Sequence, residues 1–319
     1  MDFKLTAPEA VLKAREARRG MNGFLEILVF IAVFFVVTVA ESILMVPMLW
    51  SLMSADAGFQ EAAASGNAAW LMEVADRLMS GDSATLCMLF ANLAMILVVL
   101  LFCRLIQKRR PVTLGFVRKN IAKEYLKGLG AGFLAFSGAV LLCILTGSLK
   151  LEGISSGFQP GIFLLFVAGF MIQGMAEEVL CRGYFLVSFG RRHSMWAAVL
   201  ANSLIFAALH LANSGISVLA FINLTLFGVF ASVYFIKTGN IWGVGALHSI
   251  WNLAQGNIYG IRVSGIVTKC SVFASAPVEG RSLINGGAFG LEGGLAVTVV
   301  LLAGTLLLLR KNGKRQELL

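Results

Sequence analysis

Two adjacent carboxylates and a guanidinium, Glu177, Glu178 and Arg182, stand inside an apolar stretch that runs from 162 to 189. Farther along, two more apolar stretches each carry one histidine, His210 and His248, and the chain has only 3 histidines in all. A charged side chain deep in a bilayer costs at least about 2.5 kcal/mol, so it is rare and marks function where it occurs. A carboxylate can take a proton from water, an imidazole can position that water, and amide or imidazole N–H groups can hold a developing oxyanion. These residue types in one apolar region point to chemistry done within a membrane.

Spacing divides the labour. Glu178 and Arg182 are four apart on one helix face, where an ion pair is the cheapest way to hold a guanidinium in lipid. Glu177 is rotated by about 100° from Glu178 and is left free to face a cavity. The trio could also be buried ion-pair glue, but glue does not need the second carboxylate. Asn202, Phe206 and His210 step by four along one polar-aromatic stripe. A histidine alone on such a helix is usually an interhelical hydrogen bonder. His248 and Asn252 again share a face, and both donate hydrogen bonds, which suits an oxyanion site.

The elements that must carry these residues are membrane helices. Of 319 residues 58% are hydrophobic and only 13% charged, with a mean hydropathy of +0.84; a soluble domain carries about 25% charge. About 20 apolar residues cross the hydrocarbon core as helix, and these runs are too long and uniform for barrel strands. Eight spans are expected, at 24–45, 86–106, 125–148, 162–189, 195–211, 216–235, 241–259 and 291–309. The fold class is therefore all-α, a polytopic helical membrane protein. The first span is taken as retained rather than as a signal peptide, because no small-residue cleavage site follows it.

The net charge of +9 reflects topology rather than a nucleic-acid footprint. Twenty of the 26 Lys and Arg fall in segments that alternate to one side: the N-terminal stretch through Arg19, the 104–127 region, Arg191 with Arg192, Lys237, and the tail from Arg310. By the positive-inside rule both termini are cytoplasmic, in a multi-pass protein of the cell membrane. The opposite 53–84 segment is acidic, with Asp56, Glu61, Glu73, Asp76 and Asp82 against Arg77. No nucleic-acid partner is expected.

The organisation expected along the chain is a cytoplasmic segment over 1–23, N-terminal spans over 24–160 with an outer 51–84 loop, a core over 161–260, and an outer loop, last span and basic tail over 261–319. Thr6 and Glu9 form a T-x-x-E capping pattern, consistent with a short surface helix over 7–19. Within 51–84, residues 68–79 have helical apolar spacing. The Gly- and Ser-rich 260–290 segment reads as loop, with the role of a lid open to it. Glu41, counted at about 1.5 Å per residue from Gly23, falls near the outer interface and is assigned to the rim. Four of the five cysteines lie in spans and Cys270 in an outer loop, so no disulfide framework is implied. His193 belongs to the short turn beside Arg191 and Arg192. Counting inward from residues 189, 195 and 241 places Glu177 about 18 Å deep, His210 about 22 Å, His248 about 10 Å and Asn252 about 16 Å. These depths permit convergence, in a cavity open to the cytoplasm.

Together the motifs Glu177-Glu178-Val-Leu-Cys-Arg182-Gly183, Phe206-Ala-Ala-Leu-His210, and Thr238-Gly239-Asn-Ile-Trp242 running into His248 and Asn252 resemble the CPBP family. These are CAAX-type and bacteriocin-processing membrane proteases, the Abi proteins, read as intramembrane glutamic endopeptidases. The resemblance covers roughly 160–260, and no motif position departs from it. It implies that Glu177 is the general base, that His210 positions the water, and that His248 and Asn252 stabilise the oxyanion. Glu178, Arg182 and Phe206 would support the site. The implied partners are membrane lipids and a membrane-associated or lipidated peptide substrate, with no cofactor. Two alternatives stay open. A zinc protease could use Glu177, His210 and His248 as ligands, although the chain has no H-E-x-x-H pair. A non-catalytic immunity, scaffold or transport protein could use the same residues as a proton or ion site, although no inverted repeat is evident.

Overall fold

The computed structural model describes residues 5–17 and 20–310. Lys4, Arg18, Arg19 and the tail beyond Arg310, which entered the charge count, lie outside the described residues. A short helix α1 (Glu9–Ala17) precedes the long α2 (Gly23–Ala55), and two largely exposed helices follow, α3 (Ala57–Ala64) and α4 (Ala68–Met79). Next, α5 (Asp82–Ala91) and α6 (Leu93–Leu101) form one apolar helix interrupted at Asn92 and finished by a π turn over Phe102–Ile106. After α7 (Ile121–Leu145) and a strand β1 (Leu149–Ile154), α8 (Pro160–Glu178) continues as a π-helical segment, Val179–Leu186, into α9 (Val187–Gly190). The chain ends with α10 (Met195–Ala208), α11 (Val218–Thr238), α12 (Ile241–Leu253) with a π turn over Ala254–Ile258, β2 (Phe273–Pro277), α13 (Ser282–Asn285) and α14 (Leu295–Arg310).

Among the described residues five helices are long and apolar enough to cross a membrane: Gly23–Ala55, Asp82–Ile106, Ile121–Leu145, Pro160–Gly190 and Val218–Thr238. Met195–Ala208 and Leu295–Arg310 are shorter apolar helices. The protein is a helical, polytopic membrane protein.

Local chemistry sets the turns. Gly239 closes α11 with a left-handed φ of 63°, which costs glycine nothing, and the Asn240 side chain then accepts from the N–H groups of Trp242 and Gly243 to start α12. This two-residue turn fixes the register that carries His248. Asn22, Ser194 and Ser217 cap α2, α10 and α11 in the same way.

α12 lies between α7 and α8, and small residues permit the approach. A Cβ on Gly128 or Gly132 of α7 would collide with the carbonyl oxygens of Gly243 and Leu247, and one on Gly174 of α8 would meet Ser249. In lipid, close backbone packing substitutes for the hydrophobic drive between helices, and the four-residue spacing of Gly128 and Gly132 is the pattern that allows it.

The helix ends meet in two polar layers. One holds Glu26 paired with Arg191 at 3.2 Å and the buried Arg109, which donates to Gln107, Thr113, Ser188 and the Gly183 carbonyl. Arg109 lies outside the spanning helices, and burial lowers its pKa to about 10. α1 closes this layer: Ala10, Val11 and Ala14 are buried and Arg15 donates to the Gly190 carbonyl at 2.8 Å. The opposite layer is tied by Asp82, which accepts from the N–H groups of Lys269 and Cys270, and by Asn285, which donates to the Ser148 and Val278 carbonyls.

Several boundaries differ from expectation. α2 runs ten residues past 45, through Pro47, because the sequence stays apolar there. The Thr6–Glu9 box is not used: the helix starts at Glu9, whose carboxylate pairs with Lys13. The 68–79 helix falls on α4. The 260–290 segment is more structured than loop, since β2 pairs antiparallel with β1 and Val263 bridges Ile266. The last helix begins at Leu295 rather than 291, because residues 291–293 form a 3-10 turn that tucks Glu292 inward. All five cysteines are free.

Candidate active site

The site begins where α8 gives way to its π-helical continuation. Residues 178–190 are all buried, while the Glu177 side chain keeps 20% of its surface accessible. π segments widen the helical turn by one residue and recur at functional positions. Glu178 and Arg182 are fully buried and paired, Oε1 to Nη1, at 2.7 Å. Arg182 also donates to the Gly228 carbonyl at 3.3 Å and lies 4.7 Å from the centre of the Phe206 ring. The guanidinium is thus held by a carboxylate, a carbonyl and an aromatic face, a set that offsets its desolvation.

α12 brings His248 between the two carboxylates. Its Nδ1 meets Glu178 Oε1 at 2.8 Å, and its Nε2 stands 3.9 Å from Glu177 Oε2. Glu178 therefore does more than neutralise Arg182, the role expected from sequence: it also fixes the ring orientation of His248. One turn on, Asn252 Nδ2 donates to Gln173 Oε1 at 2.9 Å, and Gln173 Nε2 donates in turn to Glu177 Oε1. One Glu177 oxygen is occupied by an amide, and the other, Oε2, accepts no hydrogen bond.

His210 lies beyond the last turn of α10, which ends at Ala208 rather than 211. Its Nδ1 is 2.9 Å from the Phe206 carbonyl, and the residue lines the cavity. The Phe206 ring separates the two imidazoles, with centroids 4.9 Å from His210 and 5.9 Å from His248. Among the described residues no hydrogen bond links His210 to either glutamate. Asn202, on the same stripe, instead donates to Ser232 at 3.0 Å.

Glu177, His210, His248 and Asn252 line one cavity of about 280 Å³, and Phe206 forms part of its wall. His193 lies outside it, stacked on Phe189 at 4.4 Å. Gln173 and Glu41 are among the further polar residues that line it. Gln173 was legible in principle, one helical turn before Glu177 on the same face. Glu41 was not. Counting along α2 assigned it a depth near the outer interface, and the structure adds that it lines the cavity.

The cavity also runs in an unexpected direction. Its lining reaches Asn213, Ser264, Ile266 and Glu292, on the side of the 260–290 segment, and includes none of Arg191, Arg192 or Lys237 on the basic side.

No group of three His, Cys, Asp or Glu among the described residues has metal-binding geometry. His248 turns Nδ1 to Glu178 and His210 turns Nδ1 to a carbonyl, outer contacts that metal-bound imidazoles also make.

No curated protein and no solved structure matches the chain. Residues 159–254, the segment that holds Gln173, Glu177, Glu178, Arg182, Phe206, His210, His248 and Asn252, match the family model described as type II CAAX prenyl endopeptidase Rce1-like.

Proposed function

We propose that the protein is an intramembrane endopeptidase in which Glu177 activates water to hydrolyse a peptide bond of a membrane-associated or lipidated substrate. The observation that carries this reading is the placement of His248 between two unequal glutamates. Glu178 is sealed and committed to Arg182 and His248, whereas Glu177 lines the cavity with 20% of its side chain accessible, and its Oε2, shielded from solvent, accepts no hydrogen bond. The match of residues 159–254 supports the reaction class.

In the proposed reaction Glu177 Oε2 takes a proton from water while the resulting hydroxide attacks the carbonyl carbon. His210, with Nδ1 on the Phe206 carbonyl, offers Nε2 to orient that water. The tetrahedral oxyanion needs donors. The Asn252 amide has one N–H on Gln173 and a second to give. His248, with Nδ1 on Glu178, adds a donor from Nε2 when both ring nitrogens carry hydrogen. Collapse of the intermediate breaks the C–N bond, and Glu177 returns the proton to the departing nitrogen. No metal takes part in this scheme. Eight spans, cytoplasmic termini and residence in the cell membrane complete the proposal, with substrate entering from the side of the 260–290 segment.

The test is cleavage of N-acylated peptides by the full-length protein in proteoliposomes. Cleavage should survive exhaustive chelation and fail in Glu177→Gln. Loss of activity on chelation with recovery on added zinc would replace the glutamate scheme by the metal one.

A further inference from the structure

Glu41 is an acidic side chain of the cavity to which neither the scheme nor a hydrogen bond gives a task. Three glutamates line that space, Glu41, Glu177 and Glu292, and no Lys or Arg does. Two of them are committed. Glu292 accepts from Trp251 Nε1 through Oε1, and from the Ser264 N–H, Ser264 Oγ and Gln255 Nε2 through Oε2. Glu177 is held by Gln173 and faces His248. No described residue hydrogen-bonds or ion-pairs with Glu41, and its Oε1 is out of contact with solvent. Among the described residues the charge of Glu177 acts on it, and it repels. Arg182, the nearest guanidinium of the site, is fully buried and bound to Glu178.

A carboxylate placed in an apolar helix without a partner is costly, and a cation that enters the cavity removes the cost. The cavity wall on α2, α5 and α6, among it Phe34, Met88, Leu89 and Met95, offers apolar contact to an aliphatic stem, and the amide of Asn92 there already donates to the Met88 carbonyl. Lysine and arginine have this form, an apolar stem with a cationic tip. We propose that Glu41 is a specificity residue that receives the ammonium or guanidinium group of a basic substrate side chain lying close to the scissile bond. The inference rests on the endopeptidase reading and adds to it the class of side chain selected. Glu41 lies outside residues 159–254, so this preference belongs to this chain's own N-terminal helices.

The test uses the full-length protein in nanodiscs and short N-acylated peptides that differ only in a central Lys, Arg, Gln or Glu. Binding is measured in a Glu177→Gln background, so that turnover is not required. The Lys and Arg peptides should bind about 10- to 100-fold more tightly than the Gln peptide, the range of a hydrogen bond to a charged group. Glu41→Gln should abolish the difference, and Glu41→Lys should shift preference to the Glu peptide. Equal binding of Lys and Gln peptides overturns the proposal and leaves the endopeptidase reading standing. Failure to bind any peptide overturns both. With Glu177 restored, an equal fall in kcat for all four peptides in Glu41→Gln would assign Glu41 to proton delivery and overturn the specificity role.

Discussion

His248 presents Nδ1 to Glu178 at 2.8 Å, and through that contact a carboxylate fully withdrawn from solvent orients the imidazole that faces Glu177. Two adjacent glutamates on one helix are thereby given unlike surroundings, one sealed against Arg182 and His248 and one lining the cavity.

Glu178→Gln removes the counter-charge of a buried guanidinium and the anionic partner of His248 together. Breaking one side of a buried pair costs about 3–5 kcal/mol. The expected outcome is a large loss of folded protein, read as thermal stability in detergent by fluorescence-detected size exclusion. Unchanged stability with reduced turnover would instead give Glu178 a role in catalysis alone.

Glu177→Gln keeps the shape of the side chain and its contact with Gln173. It should elute and melt like the parent while turnover falls by about 100- to 10,000-fold, the usual contribution of a positioned base. Retained turnover would rule out Glu177 as the base.

Gln173→Leu keeps an apolar helix apolar but unties Glu177 and Asn252 from each other. A misplaced reacting group costs on the order of 100-fold in rate. The loss should appear in kcat with KM nearly unchanged, and a rise in KM alone would place Gln173 in substrate binding. Asn252→Ala, which also removes an oxyanion donor, should lose about 100- to 1000-fold.

Gly132→Ala and Gly130→Ala test the packing of α7 on α12. A Cβ at Gly132 meets the Leu247 carbonyl, whereas one at Gly130 meets nothing within 4 Å. The first change should destabilise by about 1–3 kcal/mol, and the second should be neutral or slightly stabilising. Equal melting temperatures would show that the two helices can separate without cost.

Reporter fusions after Leu319 and within 53–84 should report opposite sides of the membrane. Same-side signals would overturn the proposed topology.

The sequence by itself determined the solvent of this protein and most of its helices. Long apolar runs satisfy their backbone only as helices in lipid, so the membrane class followed from composition, and Ala68–Met79 followed from its period. The pairing of Glu178 with Arg182 was equally legible, because an i,i+4 spacing is a local property. Helix boundaries were less so: charge and apolarity do not stop α2 at 45 or carry α10 to 211, and the shorter α10 leaves His210 beyond its last turn. Only the tertiary structure decided that His248 rests on Glu178, that Gln173 bridges Asn252 to Glu177, and that the cavity reaches toward the 260–290 segment. Each of these depends on how α12 docks against α7 and α8 and on which carbonyls three glycines allow it to approach, and such distances between chain-remote groups leave no periodic trace in the order of residues.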